Sequence, residues 1–104
     1  MNIAGCATIN GTEKYCRRFL DKFDQGHFHF VEKLRWSSIG LGTYLGKPNI
    51  ETDKVVAKAV IQSIEGGVNV IDTAINYRRQ HGEKSIGVAL RNILAEGKYN
   101  RDEL

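Results

Sequence analysis

A chain of 104 residues is long enough for one domain with an adequate core, since single domains commonly run about 100–150 residues. Its 41% hydrophobic and 26% charged content is that of a globular chain rather than a disordered one, and nothing in it is long and apolar enough to span a membrane. The net charge is only +3, with lysines and arginines scattered rather than gathered on one helical face, which argues against generic nucleic-acid binding.

The first fifteen residues carry neither the basic leader nor the sustained apolar segment of a secretory signal. Ile3, Ala4, Gly5 and Cys6 have the wording of a lipoprotein cleavage site without the hydrophobic stretch that must precede one. Residues 1–25 read as an extension holding one helix, at residues 12–23, where Tyr15, Phe19, Leu20 and Phe23 recur at helical spacing. Asn10, three residues before Glu13, is a candidate cap. Cys6 and Cys16 are too few for a disulfide framework and fit a reducing compartment, and the spacing of Cys16, His27 and His29 fits no standard zinc pattern. The expected location is the cytoplasm, with no metal.

Residues 28–36 partly alternate apolar and polar side chains, interrupted by Glu32 and Lys33, which predicts a short hairpin. Residues 37–43 read as a short, glycine-rich strand ending in Gly40, Leu41 and Gly42. A loop through Gly46, Lys47 and Pro48 leads to a helix capped near Thr52 or Asp53. Its apolar face is Val56, Ala59, Val60, Ser63 and Ile64, and Gly66 with Gly67 supplies a left-handed stop. Residues 68–72 form the next strand. After a loop holding Tyr77, Arg78, Arg79 and Gln80, a second helix runs over residues 82–95, with Ile86, Ala89, Leu90, Ile93 and Leu94 on its face. Residues 99–104 look like the approach to a third strand. Their last four letters are worded like an endoplasmic-reticulum retention signal, which acts only on a protein already in the secretory route.

Strand, helix, strand, helix with short connections is the pattern of a parallel sheet with right-handed crossovers. In such folds the loops leaving the C-terminal strand ends build the active site. Gly42, Thr43 and Asp72 fall at two such ends, and Tyr77 lies on the loop beyond the second. Taken singly, Asp72 could be a strand-end cap whose carboxylate satisfies loop amides, Tyr77 an ordinary half-buried aromatic, and Gly42 a tight strand exit. Arg78 and Arg79 could attract an anionic or polyhydroxyl ligand, although two adjacent loop arginines are more often solvated. The run Gly82, Glu83, Lys84, Ser85 echoes the tail of a phosphate loop but lacks the upstream glycine, Tyr77 standing there instead.

Taken together, the pattern D-T-A-x-x-Y from Asp72 to Tyr77, with a glycine-started strand before it and Glu83, Gly87, Ala89 and Leu90 after it, resembles the N-terminal part of the aldo-keto reductases. The resemblance covers residues 34–104 and implies an α/β fold, the beginning of a (β/α)8 TIM barrel. That beginning comprises about two βα units preceded by a hairpin and a helical extension. A whole barrel takes roughly 250 residues, so the expectation is an incomplete one, with residues 26–104 a truncated NADP-dependent oxidoreductase domain. The resemblance also implies hydride transfer between NADP or NAD and a small carbonyl or polyhydroxyl substrate. Tyr77 would be the proton donor and Asp72 the holder of a lysine; Gly42 and Thr43 would lie near the nicotinamide, and Tyr44 in the substrate pocket.

A free phenol has a pKa of about 10 and needs a neighbouring cation to act near neutrality. In the family that cation is a lysine from a later strand, and a histidine completes the tetrad. Neither Lys84 nor Lys98 stands at the matching place, so the chain alone is expected to be inactive. Arg78 departs from the glycine or asparagine common after the family's tyrosine. The alternatives are a non-catalytic binding or regulatory module derived from such a barrel and an independent small α/β domain. Self-association through exposed strand edges is expected if the sheet stays open.

Overall fold

The computed structural model describes residues 3–104. Among them, three helices and two two-stranded sheets form a mixed α/β structure without a closed barrel. Helix α1, Ile9–Arg17, starts earlier than residue 12 because Thr8, not Asn10, caps it: the Thr8 hydroxyl accepts from the Gly11 N–H at 2.9 Å. It also ends before Phe23, yet Phe19, just past its end, is still buried beside Tyr15.

The hairpin forms as expected, with β1 (Phe28–Val31) antiparallel to β2 (Leu34–Ser37). Glu32 and Lys33 are its two turn residues, both left-handed with φ of 52° and 62°. That conformation matches the twist of the paired strands. Because Ser37 closes β2, the next strand is shorter than expected: β3 is Gly40–Gly42. It runs parallel to β4, Val70–Asp72, in the register Gly40 to Val70, Leu41 to Ile71 and Gly42 to Asp72.

Helix α2, Ile50–Glu65, makes the crossover. It begins before Thr52 because the Asn49 side chain accepts the Thr52 N–H at 2.9 Å, which leaves Asp53 free for another partner. Gly67, at φ 97°, takes the left-handed position that ends the helix, while Gly66 stays at φ −92°. A side chain at 67 would also strike the Phe23 ring at 2.5 Å. Helix α3, His81–Ala95, then packs against α2.

The core joins Tyr15 and Phe19 to Ala57, Val60 and Ile64 of α2, to Ala89 and Ile93 of α3, and to Tyr99. Burial at Ala57 rather than Ala59 shows that the α2 face is rotated slightly from the one expected. Leu41 and Ile71 pack against this core; by strand alternation Gly40, Gly42, Val70 and Asp72 stand on the opposite face of the β3–β4 pair.

Residues 99–104 are not a strand approach. They form a tight 3-10 turn, Arg101–Glu103, seated on α1. The Thr8 N–H donates to the Asp102 carbonyl at 3.0 Å. Glu103, fully buried, pairs with Arg18 at 2.7 Å and accepts the Asn100 N–H at 2.8 Å. Burial pushes the Glu103 carboxyl up, but the Arg18 and Asn100 hydrogen bonds and the Arg18 charge outweigh it and hold it below the usual glutamate range. Tyr15 adds a second tie, its hydroxyl donating to the Ile64 carbonyl at 2.5 Å. The extension thus contributes side chains to the same core as the two βα units.

Candidate active site

Asn69 sets the position of the two parallel strands by fastening them to the hairpin at their N-terminal side. Its side chain accepts the Ser37 N–H at 2.8 Å and donates to the Arg35 carbonyl at 2.8 Å, while its own N–H donates to the Ser37 hydroxyl at 3.1 Å. At the opposite, C-terminal ends, Gly42 and Asp72 are register partners. Thr43 carries the pairing one step further: its N–H and hydroxyl both donate to the Asp72 carbonyl, at 3.1 and 3.0 Å. With 1% exposure, the Thr43 side chain fastens the two strand ends together.

The Asp72 side chain is exposed, and among the described residues its carboxylate has no hydrogen-bond or ion-pair partner. It does not cap the following loop. Gly42 beside it is equally open, since a side chain there would meet nothing within 4 Å. The strand exit therefore does not itself demand glycine; its effect is to leave bare backbone next to a free carboxylate.

Tyr77 begins the turn Tyr77–Gln80 and is half-buried. Its ring meets that of Tyr44 edge to face, with centroids 5.1 Å apart and planes at 76°, a favoured aromatic geometry. Tyr44 is otherwise 65% exposed. Gly82, in the first turn of α3, lets this corner close, because a Cβ there would lie 3.1 Å from the Thr43 carbonyl and 3.3 Å from the Tyr77 Cβ. The fold thus gathers Gly42, Thr43, Tyr44, Asp72 and Tyr77 on one rim, though no hydrogen bond joins Asp72 to Tyr77 among the described residues.

Arg78 overturns the expectation of a solvated loop arginine. It is 6% exposed and pairs with Asp53 at 2.5 Å, while its Nε and Nη2 donate to the Lys47 carbonyl at 3.2 and 2.9 Å. His81 Nδ1 lies 2.7 Å from the other Asp53 oxygen. Desolvation raises the Asp53 carboxyl, but the hydrogen bonds and charges of His81 and Arg78 hold it below the usual aspartate range. Arg78, Arg79 and Gln80 all adopt positive φ, at 49°, 54° and 73°, a run that L side chains rarely enter. The Asp53 linkage binds the start of α2 to the loop that presents Tyr77. Its one trace in the sequence is Asn49: a cap candidate four residues before Asp53 frees that carboxylate for tertiary use.

Away from this rim, Cys16 is buried, and burial pushes its thiol up to about 11, which leaves little thiolate for nucleophilic chemistry near neutrality. Among the described residues no three His, Cys, Asp or Glu side chains cluster as metal ligands, and no helix is long and apolar enough to cross a membrane. The chain matches no protein-family model, no curated protein and no solved structure.

Proposed function

We propose that residues 26–104 supply the first two βα units of a NAD(P)H-dependent aldo-keto reductase acting in the cytoplasm. One observation carries this reading: a free Asp72 carboxylate and the Tyr77 phenol stand on one rim, at the C-terminal ends of a parallel strand pair joined by a helical crossover. That rim is where parallel α/β enzymes place their chemistry.

The bare backbone at Gly42, open on its Cα side and adjacent to Asp72, suits the flat nicotinamide ring of NADP or NAD. When bound, that group supplies the hydride for a carbonyl carbon. Tyr77 donates its hydroxyl proton to the carbonyl oxygen, and Asp72 holds the ammonium of a lysine against the phenol. The lysine must come from outside these strands, because Lys84 lines the outer groove between α2 and α3 and Lys98 lies over the Tyr99 ring. Tyr44 walls the substrate side through its edge-to-face contact with Tyr77. The free Asp72 carboxylate favours this over a strand-end cap, since a cap would spend its oxygens on loop amides.

The test is expression of these residues within a reading frame extended to a full barrel, followed by NADPH and NADH oxidation with a panel of small aldehydes and ketones. Turnover that falls sharply in Tyr77→Phe and Asp72→Asn supports the proposal. A folded product that binds neither cofactor would return the rim to the non-catalytic binding module.

A further inference from the structure

Next to the Tyr44–Tyr77 corner, the loops after β3 and β4 border an open cavity of about 370 Å3, lined among others by Tyr44, Gly46, Asn76, Arg78 and Arg79. This lies within the usual size range of small-ligand sites, about 300–1,000 Å3. A guanidinium presents five N–H donors in a rigid fork and accepts nothing. Asp53 and the Lys47 carbonyl take up Arg78 Nε and Nη2. Among the described residues Nη1 is buried and has no acceptor, on a side chain only 1% exposed. A buried donor left without an acceptor is costly, and its cost disappears if the acceptor arrives from the cavity.

Charge points the same way. Asp53 offsets one arginine, whereas the exposed Arg79 has no carboxylate within ion-pair distance among the described residues, so the cavity wall is left cationic. Backbone strain supports a site as well: three consecutive left-handed residues, none of them glycine, hold both arginines at this wall, and conformations of that kind persist where surrounding structure enforces them, often at ligand clamps. Gly46, at φ 106°, brings its loop close to Arg78, with the Arg78 Nε 3.6 Å from where a side chain would begin.

We propose that this cavity binds an oxyanion, the carboxylate or phosphate of a small ligand, through Arg78 Nη1 and the Arg79 guanidinium. Resting on the reductase reading, the oxyanion belongs to the substrate, which is then a carbonyl compound carrying a carboxylate or phosphate: its anionic end sits at the arginines and its carbonyl reaches past Tyr44 toward Tyr77.

Inorganic phosphate and malonate are the probes, added to the 104-residue chain at ionic strength matched with chloride. Amide NMR shifts and thermal unfolding are recorded in parallel. Saturable shifts confined to residues 44–48 and 76–80, with a rise in the unfolding midpoint, are expected from one or both probes; a response to phosphate alone assigns a phosphate. Arg79→Gln, a change at an exposed side chain, should weaken binding roughly 10- to 100-fold by removing a charged donor. Arg78→Lys, which keeps a charge for Asp53 but loses the fork, should weaken it comparably while the far-ultraviolet spectrum is unchanged. Shifts and midpoints no different from chloride would overturn the proposal, as would equal binding by Arg79→Gln. Displacement of the probe by NADPH would assign the oxyanion to the cofactor and overturn its assignment to the substrate. Binding is read without turnover, so the site can stand where the reductase reading fails, and its failure leaves the Tyr77 turnover test intact.

Discussion

Gly11 and Gly87 are both glycines inside helices, and the same substitution should move stability in opposite directions at the two. At Gly11 an added Cβ would lie 1.9 Å from the Asp102 carbonyl oxygen and 2.3 Å from its carbon. Both are backbone atoms that cannot rotate away, so α1 must retreat from the Arg101–Glu103 turn by about 1.5 Å to reach ordinary contact at 3.4 Å. Overpacking of this kind costs about 1–3 kcal/mol, and the retreat also breaks the Thr8–Asp102 hydrogen bond, about 1 kcal/mol. The better helix propensity of alanine returns at most about 1 kcal/mol. Gly11→Ala should therefore destabilise by about 2–3 kcal/mol, a fall in Tm of roughly 10–20 °C for a domain of this size. At Gly87 the new methyl would meet only the Arg91 Nη1 at 3.7 Å, so Gly87→Ala should stabilise by about 0.5–1 kcal/mol. Urea titration followed by far-ultraviolet circular dichroism and Trp36 fluorescence measures both. An unfolding midpoint raised equally by the two substitutions would mean that α1 does not dock on the C-terminal turn, and the account of the core would fall.

Glu103→Gln should cost about 3 kcal/mol, the lower end for breaking a buried ion pair, because the Arg18 side chain keeps 25% exposure. Since the folded Glu103 carboxyl lies below its unfolded value near 4.3, its contribution is present above that pH and is lost as pH falls through the folded pKa; wild type should lose stability over that acid range and Glu103→Gln should not, which urea midpoints against pH will show. If the reading frame extends to a full barrel, Tyr77→Phe in that protein should reduce carbonyl reduction by about 100- to 10,000-fold, the usual contribution of a general acid, without a change in Tm beyond about 1 °C; near-normal turnover would remove Tyr77 from the chemistry. The 104 residues alone should show no turnover with either cofactor, and turnover sensitive to Tyr77→Phe would contradict that. β3 and β4 each have one unpaired edge in the structure, so the isolated chain should associate as concentration rises; a monodisperse monomer with one steep urea transition in size-exclusion and denaturation experiments would instead mean that α1 and the hairpin suffice to close the sheet.

Local pattern settled α2, α3 and the hairpin, because the information needed to form each of them lies within a few residues, whereas the Arg101–Glu103 turn was not legible in it. Helical periodicity marked α2 and α3, alternation around Glu32 and Lys33 marked the hairpin, and the end of each strand pattern marked Gly42 and Asp72, which the structure makes register partners. The helix starts were set by caps, Thr8 and Asn49, which are also local but compete with equally good neighbours such as Asn10 and Thr52. What tertiary structure alone decided are the pairings between distant positions. Arg78 and Asp53 are 25 residues apart and Arg18 and Glu103 are 85 apart; an arginine in a loop and a glutamate near the C-terminus look solvated until a partner arrives to offset their desolvation. The same holds for Gly11, an unremarkable helix glycine until the Asp102 backbone is brought against it, and for the open cavity at Arg78 and Arg79, which exists only because two loops from separate strands lie side by side.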